Sequence, residues 1–131
     1  MIQEGLYAQL FDNSALGALC GGRIFEVVAP DDLAQYPCVA YVCVGGASEP
    51  SFTSSGVLRQ RVEVSCFAVD YSVAAQMRAA VIAALDGWQQ LLTDGTNVLE
   101  ATILNPGTDF CSEQRIFRCM AEFYILYTLP G

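Results

Sequence analysis

The sequence has no histidine and no lysine, and each absence excludes a class of function. Serine and cysteine hydrolases use histidine as the base that activates their nucleophile. Without histidine or a CxxC pair, a tetrahedral zinc site lacks its usual ligands. The six basic residues are all arginine, and with 14 acidic residues the chain has a formal charge of −8. Because nucleic-acid binding begins with a basic patch, this balance argues against sequence-specific DNA binding.

Motifs for cofactors and catalysis are also missing. Neither Gly21-Gly22 nor Gly45-Gly46 has the spacing or the following lysine of a phosphate-binding loop. The acidic pairs that could act as acid and base, Asp31 with Asp32 and Asp109 with Glu113, lie in predicted loops without a motif. We therefore expect no catalytic residue, no cofactor and no metal.

Long apolar runs are absent as well. A membrane-spanning helix needs about 20 apolar residues in a row. The most apolar helical stretch, residues 73–85, is interrupted by Gln76 and Arg78. The first residues carry no basic leader and no long apolar segment, so we expect no signal peptide and a cytoplasmic site of synthesis and assembly.

The composition is that of one folded domain over residues 1–131 with apolar surface to spare. Hydrophobic residues make up 53% of the chain and charged residues 15%, and the mean hydropathy is +0.38. A chain of this length and composition can bury a core without disulfides, so the six cysteines are interpreted as small buried apolar residues. Contiguous apolar surface left over usually marks an interface.

Hydrophobic periodicity predicts the element order. Helices are expected at residues 2–11 and 73–86, a short helical turn at residues 16–19, and strands at residues 23–28, 38–44, 57–69, 97–104 and 115–129. Asn105-Pro106-Gly107 is a strong turn signal, and residues 45–56 have the composition of a long loop. The order predicts an α+β fold: a mostly antiparallel sheet of four to five strands with two main helices packed on one face.

The last strand predicts that the sheet is covered on both sides. Its side chains alternate between two faces. One face is apolar throughout: Phe117, Cys119, Ala121, Phe123, Ile125 and Tyr127. The other is too apolar for a solvent face and too charged for a monomer's core: Ile116, Arg118, Met120, Glu122, Tyr124 and Leu126. Because two helices can cover only one face, the second face is predicted to meet another copy of the protein.

Three arginines lie on this second face and allow two interpretations. Arg59, Arg61 and Arg118 could pair across strands with Glu63, Glu122 or Glu100 on a solvated sheet, worth at most about 1 kcal/mol per pair. They could instead match charges on a neighbouring subunit. The apolar residues between them favour the second interpretation. The predicted subunit-interface residues are Arg59, Arg61, Phe67, Arg118, Met120, Glu122 and Tyr124.

Several phrases in this order resemble the tail-completion family of tailed bacteriophages, which includes tail-terminator and head–tail joining proteins. They are LGALCGGRIFEVVAP at residues 16–30, YPCVAYVCVGG at residues 36–46, and LRQRVEVSCFAVDYSVAAQMRAAVIAALDGW at residues 58–88. An N-terminal helix precedes them and an aromatic strand follows. The resemblance covers nearly the whole chain.

The resemblance implies a structural virion protein that forms a hexameric ring at the head-proximal end of the tail. Such a ring ends polymerisation of the tail tube and joins tail to head, without catalysis. Its implied partners are further copies of itself, the major tail-tube protein and a head-completion or neck protein. DNA could pass through its lumen, and no membrane is involved. The loop at residues 45–56, with Glu49, Pro50 and Phe52, is the predicted contact to an axial partner.

Other functions remain as alternatives at this point. A head-closure or neck component of the same connector would have similar surfaces. The six cysteines also allow a non-viral ligand-binding or thiol module, which would require a reactive thiol of low pKa. An enzyme would require a pocket with converging polar groups.

Overall fold

A computed structural model describes residues 2–27, 36–44, 51–52, 57–112 and 115–130, with the backbone alone at 51–52. The helices are α1 (Ile2–Phe11), α2 (Ser14–Cys20) and α3 (Tyr71–Leu85). The strands are β1 (Ile24–Glu26), β2 (Cys38–Val44), β3 (Ser51–Phe52), β4 (Leu58–Ala68), β5 (Gln90–Leu91), β6 (Asn97–Cys111) and β7 (Phe117–Thr128).

The strands form one mixed sheet in the order β1-β2-β4-β7-β6-β5, and β3 pairs with β4 beside this path. Only β1 and β2 are parallel among the described pairs, so the sheet is mostly antiparallel as predicted. The long strands β4 and β7 lie at its centre and pair over their whole length, from Leu58 opposite Tyr127 to Ala68 opposite Phe117.

The helix boundaries follow from their capping residues. Asn13 accepts a hydrogen bond from the Leu16 amide at 2.8 Å and starts α2. Gly21, with φ of +63°, ends α2 in the left-handed conformation that glycine adopts without strain. Asp70 caps α3 by accepting from the Ser72 amide at 2.9 Å.

All three helices bury their apolar side against the same face of the sheet. Leu6, Leu10, Leu16, Met77 and Leu85 are fully buried and join one core cluster. From the central strands the cluster receives alternate residues only: Leu58, Val62, Val64, Cys66 and Ala68 of β4, and Cys119, Ala121, Phe123, Ile125 and Tyr127 of β7. The predicted core face of the last strand is therefore confirmed, with Phe117 at its half-buried end.

The sheet has more strands than the four to five expected, and three helices rather than two main ones. Among the described residues, the unexpected strands are the two-residue β3 and β5, which are too short to produce a periodic pattern. The third helix is α2, whose seven residues were predicted only as a short turn. Of the helices that the structure describes, none is long and apolar enough to cross a lipid bilayer.

The prediction of a turn at Asn105-Pro106-Gly107 is wrong. β6 continues through these residues to Cys111, and its pairing with β7 shifts register at three places. The Asn105 side chain accepts a hydrogen bond from the Gly107 amide at 3.0 Å, as it would in a turn. Here that local bend produces an irregularity within the strand and does not end it. At the shift between Val98 and Glu100 the strict alternation of faces is also broken: Val98 is buried, Leu99 is half-buried and Ala101 is buried again.

The two faces of β7 predict opposite responses to truncation. Phe123→Ala removes a fully buried ring from the core and should lower the free energy of unfolding by about 3–5 kcal/mol. Leu126→Ala, on the other face of the same strand, should cost far less in the isolated protein because its side chain is only half-buried. Urea unfolding followed by circular dichroism measures both, and equal losses would contradict the one-sided core.

Candidate assembly interface

The side of the sheet turned away from the helices carries no described helix, and we call it the open face. Its residues are those that alternate with the core set on the central strands: Arg59, Arg61, Glu63, Ser65 and Phe67 of β4, and Arg118, Met120, Glu122, Tyr124 and Leu126 of β7. Most are half-buried by their neighbours on the face, although no described helix covers them. The open face is therefore partly desolvated rather than fully hydrated.

Two glutamates meet at the centre of the open face. Glu63 and Glu122 are directly opposite in the β4–β7 register, an arrangement that is unfavourable for like charges. Arg61 relieves it, because its Nη2 lies 3.0 Å from Glu122 Oε2 and 3.6 Å from Glu63 Oε1. The Arg61 Nε is buried and has no hydrogen-bond partner. The cross-strand pairing considered for these arginines is thus present within one subunit for Arg61.

An arginine and an aromatic ring lie at one end of the open face. The Arg59 guanidinium carbon is 4.5 Å from the centre of the Tyr124 ring, within the range of a cation–π interaction. Leu126 is directly opposite Arg59. This end combines a cation with an aromatic and an aliphatic side chain, a composition that is common at protein interfaces.

At the other end of the open face the surface forms a cleft of about 330 Å³, which we call the Arg118 cleft. It is lined by Tyr36, Phe67, Phe110, Cys111, Ser112, Ile116 and Arg118. The Arg118 guanidinium carbon lies 5.9 Å from the Phe67 ring centre and 5.1 Å from that of Phe110. Its Nε donates to Ser65 Oγ at 3.0 Å, which fixes the side chain between the two rings.

Hydrogen bonds on the opposite side of the sheet hold β6, the strand that carries Phe110, to α3. Asp109, the preceding residue, points toward α3, where it accepts hydrogen bonds from the Tyr71 hydroxyl at 2.8 Å and from Arg78 Nη1. Gly107 leaves room for this pairing, since a Cβ at that position would lie 2.7 Å from Arg78 Nη1. The hydrogen bond from Tyr71, opposed by desolvation and supported by Arg78, lowers the pKa of Asp109.

Charge is distributed unevenly between the two sides of the chain. The open face carries three arginines and, counting Glu100 opposite Leu126, three glutamates. The formal charge of −8 therefore lies entirely on the rest of the chain. An electrically balanced face on an acidic protein can approach another copy with little repulsion.

The structure brings all seven predicted interface residues onto this one face. Met120 is buried with 8% of its surface exposed, and Glu122 keeps 12% of its side-chain surface. Of the predicted axial-loop residues, Glu49 and Pro50 lie outside the described residues. Phe52 is described by its backbone alone, which pairs with Leu58.

Sequence reasoning missed the Arg118 cleft. Tyr36 precedes the predicted strand at residues 38–44, and Phe110 lies between the predicted strands at residues 97–104 and 115–129. The T-shaped contact between Tyr36 and Phe67, with ring centres 6.1 Å apart, and the pairing of Phe110 with Arg118 depend on strand register. The only signal available in the sequence was an aromatic residue beside a predicted strand end, which does not by itself identify a partner.

The described residues give little support to metal or thiol chemistry. Among these described residues, no group of three or more Cys, Asp or Glu side chains is arranged to hold a metal ion. Burial raises the pKa of the Cys38 thiol to about 11 and that of Cys43 to about 11, and it also raises the pKa of Cys66. A reactive thiolate needs the opposite shift.

Comparison with known proteins identifies the class. The profile of the family described as "Tail completion protein gp17" matches residues 4–128, so the chain belongs to this family. Membership makes it a structural component of a phage-like virion tail. A search of the curated proteins found no match.

A solved structure shows the same fold. A chain from "Virion of native gene transfer agent (GTA) particle" superposes with a TM-score of 0.75 at 20% sequence identity. The match covers 93% of this chain and 90% of that chain. The two chains therefore share one architecture over almost their whole length.

The hydrogen bonds that Asp109 accepts from Tyr71 and Arg78 predict that the stability of the fold depends on pH. Because the pKa of Asp109 is lower in the folded than in the unfolded state, its contribution to stability is present above the unfolded value, near 3.8, and disappears as pH falls through the folded value. Asp109→Asn should therefore be less stable than wild type at pH 7, and the difference should close in acid. Urea midpoints measured from pH 7 to pH 2 test this.

A double-mutant cycle provides the control for that prediction. Arg78→Gln combined with Asp109→Asn should cost less than the two single changes added together, because both remove one interaction. Additive losses, or a gap between wild type and Asp109→Asn that does not narrow between pH 7 and pH 2, would contradict the assigned role of Asp109.

Proposed function

We propose that this protein forms a ring, most simply a hexamer, at the head-proximal end of the tail, where it ends polymerisation of the tail tube and joins tail to head. The observation that carries the proposal is the half-buried, charge-balanced open face on a member of a tail completion family. Its role is structural, and binding surfaces rather than reacting groups perform it.

The one-sided packing of the sheet supports ring formation. A ring requires a heterologous contact, in which two different patches of each subunit meet. The open face supplies one patch, along which the seven predicted interface residues are distributed. The outer side of the helical layer supplies a different patch on the opposite side of the subunit. A contact between unlike sides repeats from copy to copy and closes when the rotation between copies is a whole fraction of a turn.

The ends of the ring would meet different partners. The segment around Glu49, Pro50 and Phe52 is the proposed contact to an axial neighbour, either the major tail-tube protein or a head-completion protein. The acidic balance suits a lumen through which DNA passes without adhering. The structurally similar chain comes from a gene transfer agent virion, which supports a place in a phage-like particle.

A head-closure or neck component of the same connector is the second candidate, because it would present the same kinds of surface. Deletion of the gene distinguishes the two roles. A terminator is expected to leave abnormally long or unjoined tails when it is lost, since nothing stops tube growth. Electron micrographs that show tails of normal length together with leaking heads would favour the neck role instead.

Charge placed at the centre of the open face should block assembly without unfolding the subunit. Tyr124→Asp adds an acid beside Glu122 and removes the ring under Arg59, so ring formation should fall at least about tenfold. Sedimentation velocity of the protein, alone and with tail tubes, measures the change. Gln89→Asp, at an exposed position between α3 and β5, adds the same charge outside both proposed patches and serves as the control. Normal rings from Tyr124→Asp would exclude the open face from the interface.

A further inference from the structure

The Arg118 cleft holds a cation that none of the described residues neutralises. Arg118 forms no ion pair with any residue that the structure describes, whereas Arg61 and Arg78 each do. Its described contacts are the Ser65 hydroxyl, the Met120 sulfur at 3.5 Å and the two aromatic rings. One of those rings, Phe110, is 47% exposed. The cleft is thus suited to a carboxylate that lies next to an aromatic side chain.

The same chain presents that combination on the outer side of α1. Tyr7 and Phe11 are stacked with their ring centres 5.6 Å apart, and they remain 38% and 50% exposed. Asp12 follows directly, is exposed, and forms no ion pair with a described residue. Stacked aromatics at this exposure on a helix contribute little to the core, because Leu6 and Leu10 already fill it.

We propose that the Arg118 cleft of one subunit binds the outer side of α1 from the next subunit, with Arg118 paired to Asp12 and the Phe110 ring packed against Phe11. The inference rests on the ring proposed above and names the two surfaces that meet in it. Charge complementarity and the matching aromatic residues commit it to a second copy of this chain rather than to another protein.

The positions of the two surfaces allow the contact to repeat. The cleft is on the open face, and the outer side of α1 points away from the other face, since Ile2, Leu6 and Leu10 on its inner side are in the core. Each subunit can therefore contribute its cleft to one neighbour and its α1 to the other. This is the heterologous arrangement that closed rings require.

Charge reversal tests the pairing. Arg118→Glu and Asp12→Arg should each weaken assembly of the full-length protein by about tenfold or more, and the double variant should recover most of the loss because the pair is restored with opposite orientation. Native mass spectrometry and sedimentation velocity report the ring. Circular dichroism and urea unfolding of each variant establish that the subunit is folded.

Cross-linking tests the same contact without altering Arg118 or Asp12. Cys111 lines the cleft and is exposed, and Ala8 lies on the outer side of α1 between the aromatic residues and is also exposed. Ala8→Cys, treated with a short bismaleimide after assembly, should give a ladder of covalent oligomers. The matched control is Ala18→Cys, an exposed alanine on α2, which should not form the ladder. Adding Cys111→Ser to Ala8→Cys should abolish it.

The outcomes separate this inference from the function on which it rests. If wild-type protein forms no ring either alone or on tail tubes, both fail together. If wild type forms rings but Ala8→Cys cross-links no better than Ala18→Cys, or the double charge reversal restores nothing, the ring stands and the pairing of cleft with α1 is overturned. Rings of normal mass from Arg118→Glu that no longer join tail tubes would overturn it too, and would assign the cleft to the tube protein.

Discussion

One constraint governs the structure: the described helices cover only one of the two faces of the sheet. Side chains alternate across every strand, so the six-strand path of the sheet has two faces to cover, and the described helices all pack on one of them. Burial of Phe123, Val64 and their neighbours drives folding from that side. The other face cannot be strongly apolar in a lone subunit, nor fully polar in an interface. The compromise is visible in the half-buried mixture of arginine, glutamate, tyrosine and leucine on β4 and β7.

The sequence predicted best what depends on local periodicity. The bounds of α1 agree with the predicted residues 2–11, α3 (Tyr71–Leu85) overlaps the predicted helix at residues 73–86 but starts two residues earlier, and the two faces of β7 are divided as alternation requires. The length of β6 could not be predicted in this way. Pro106 and Gly107 favour a turn locally, yet pairing with β7 carries the strand past them by shifting register, and that pairing is a long-range interaction.

The candidate site was predictable in part for the same reason. Residues that share one strand, such as Met120, Glu122 and Tyr124, could be assigned to a common face from spacing alone. The contacts between strands could not, because they require the register of β4, β6 and β7. Hence spacing predicted Arg61 as an interface or pairing residue but did not identify Glu63 and Glu122 as its two partners. It also did not predict the cleft that is lined by Tyr36, Phe67, Phe110 and Arg118.

The irregular pairing of β6 has a consequence for how copies of the protein can combine. β6 pairs with β5 over two residues only, its pairing with β7 shifts register at three places, and its Pro106 offers no amide hydrogen. The other end of the described sheet is the three-residue β1. Neither border is a good template for runaway strand-to-strand growth of the amyloid kind. If copies do not pair edge to edge, the contacts between them lie on the faces of the sheet, and face contacts of the kind proposed above end at a fixed number of copies when the ring closes.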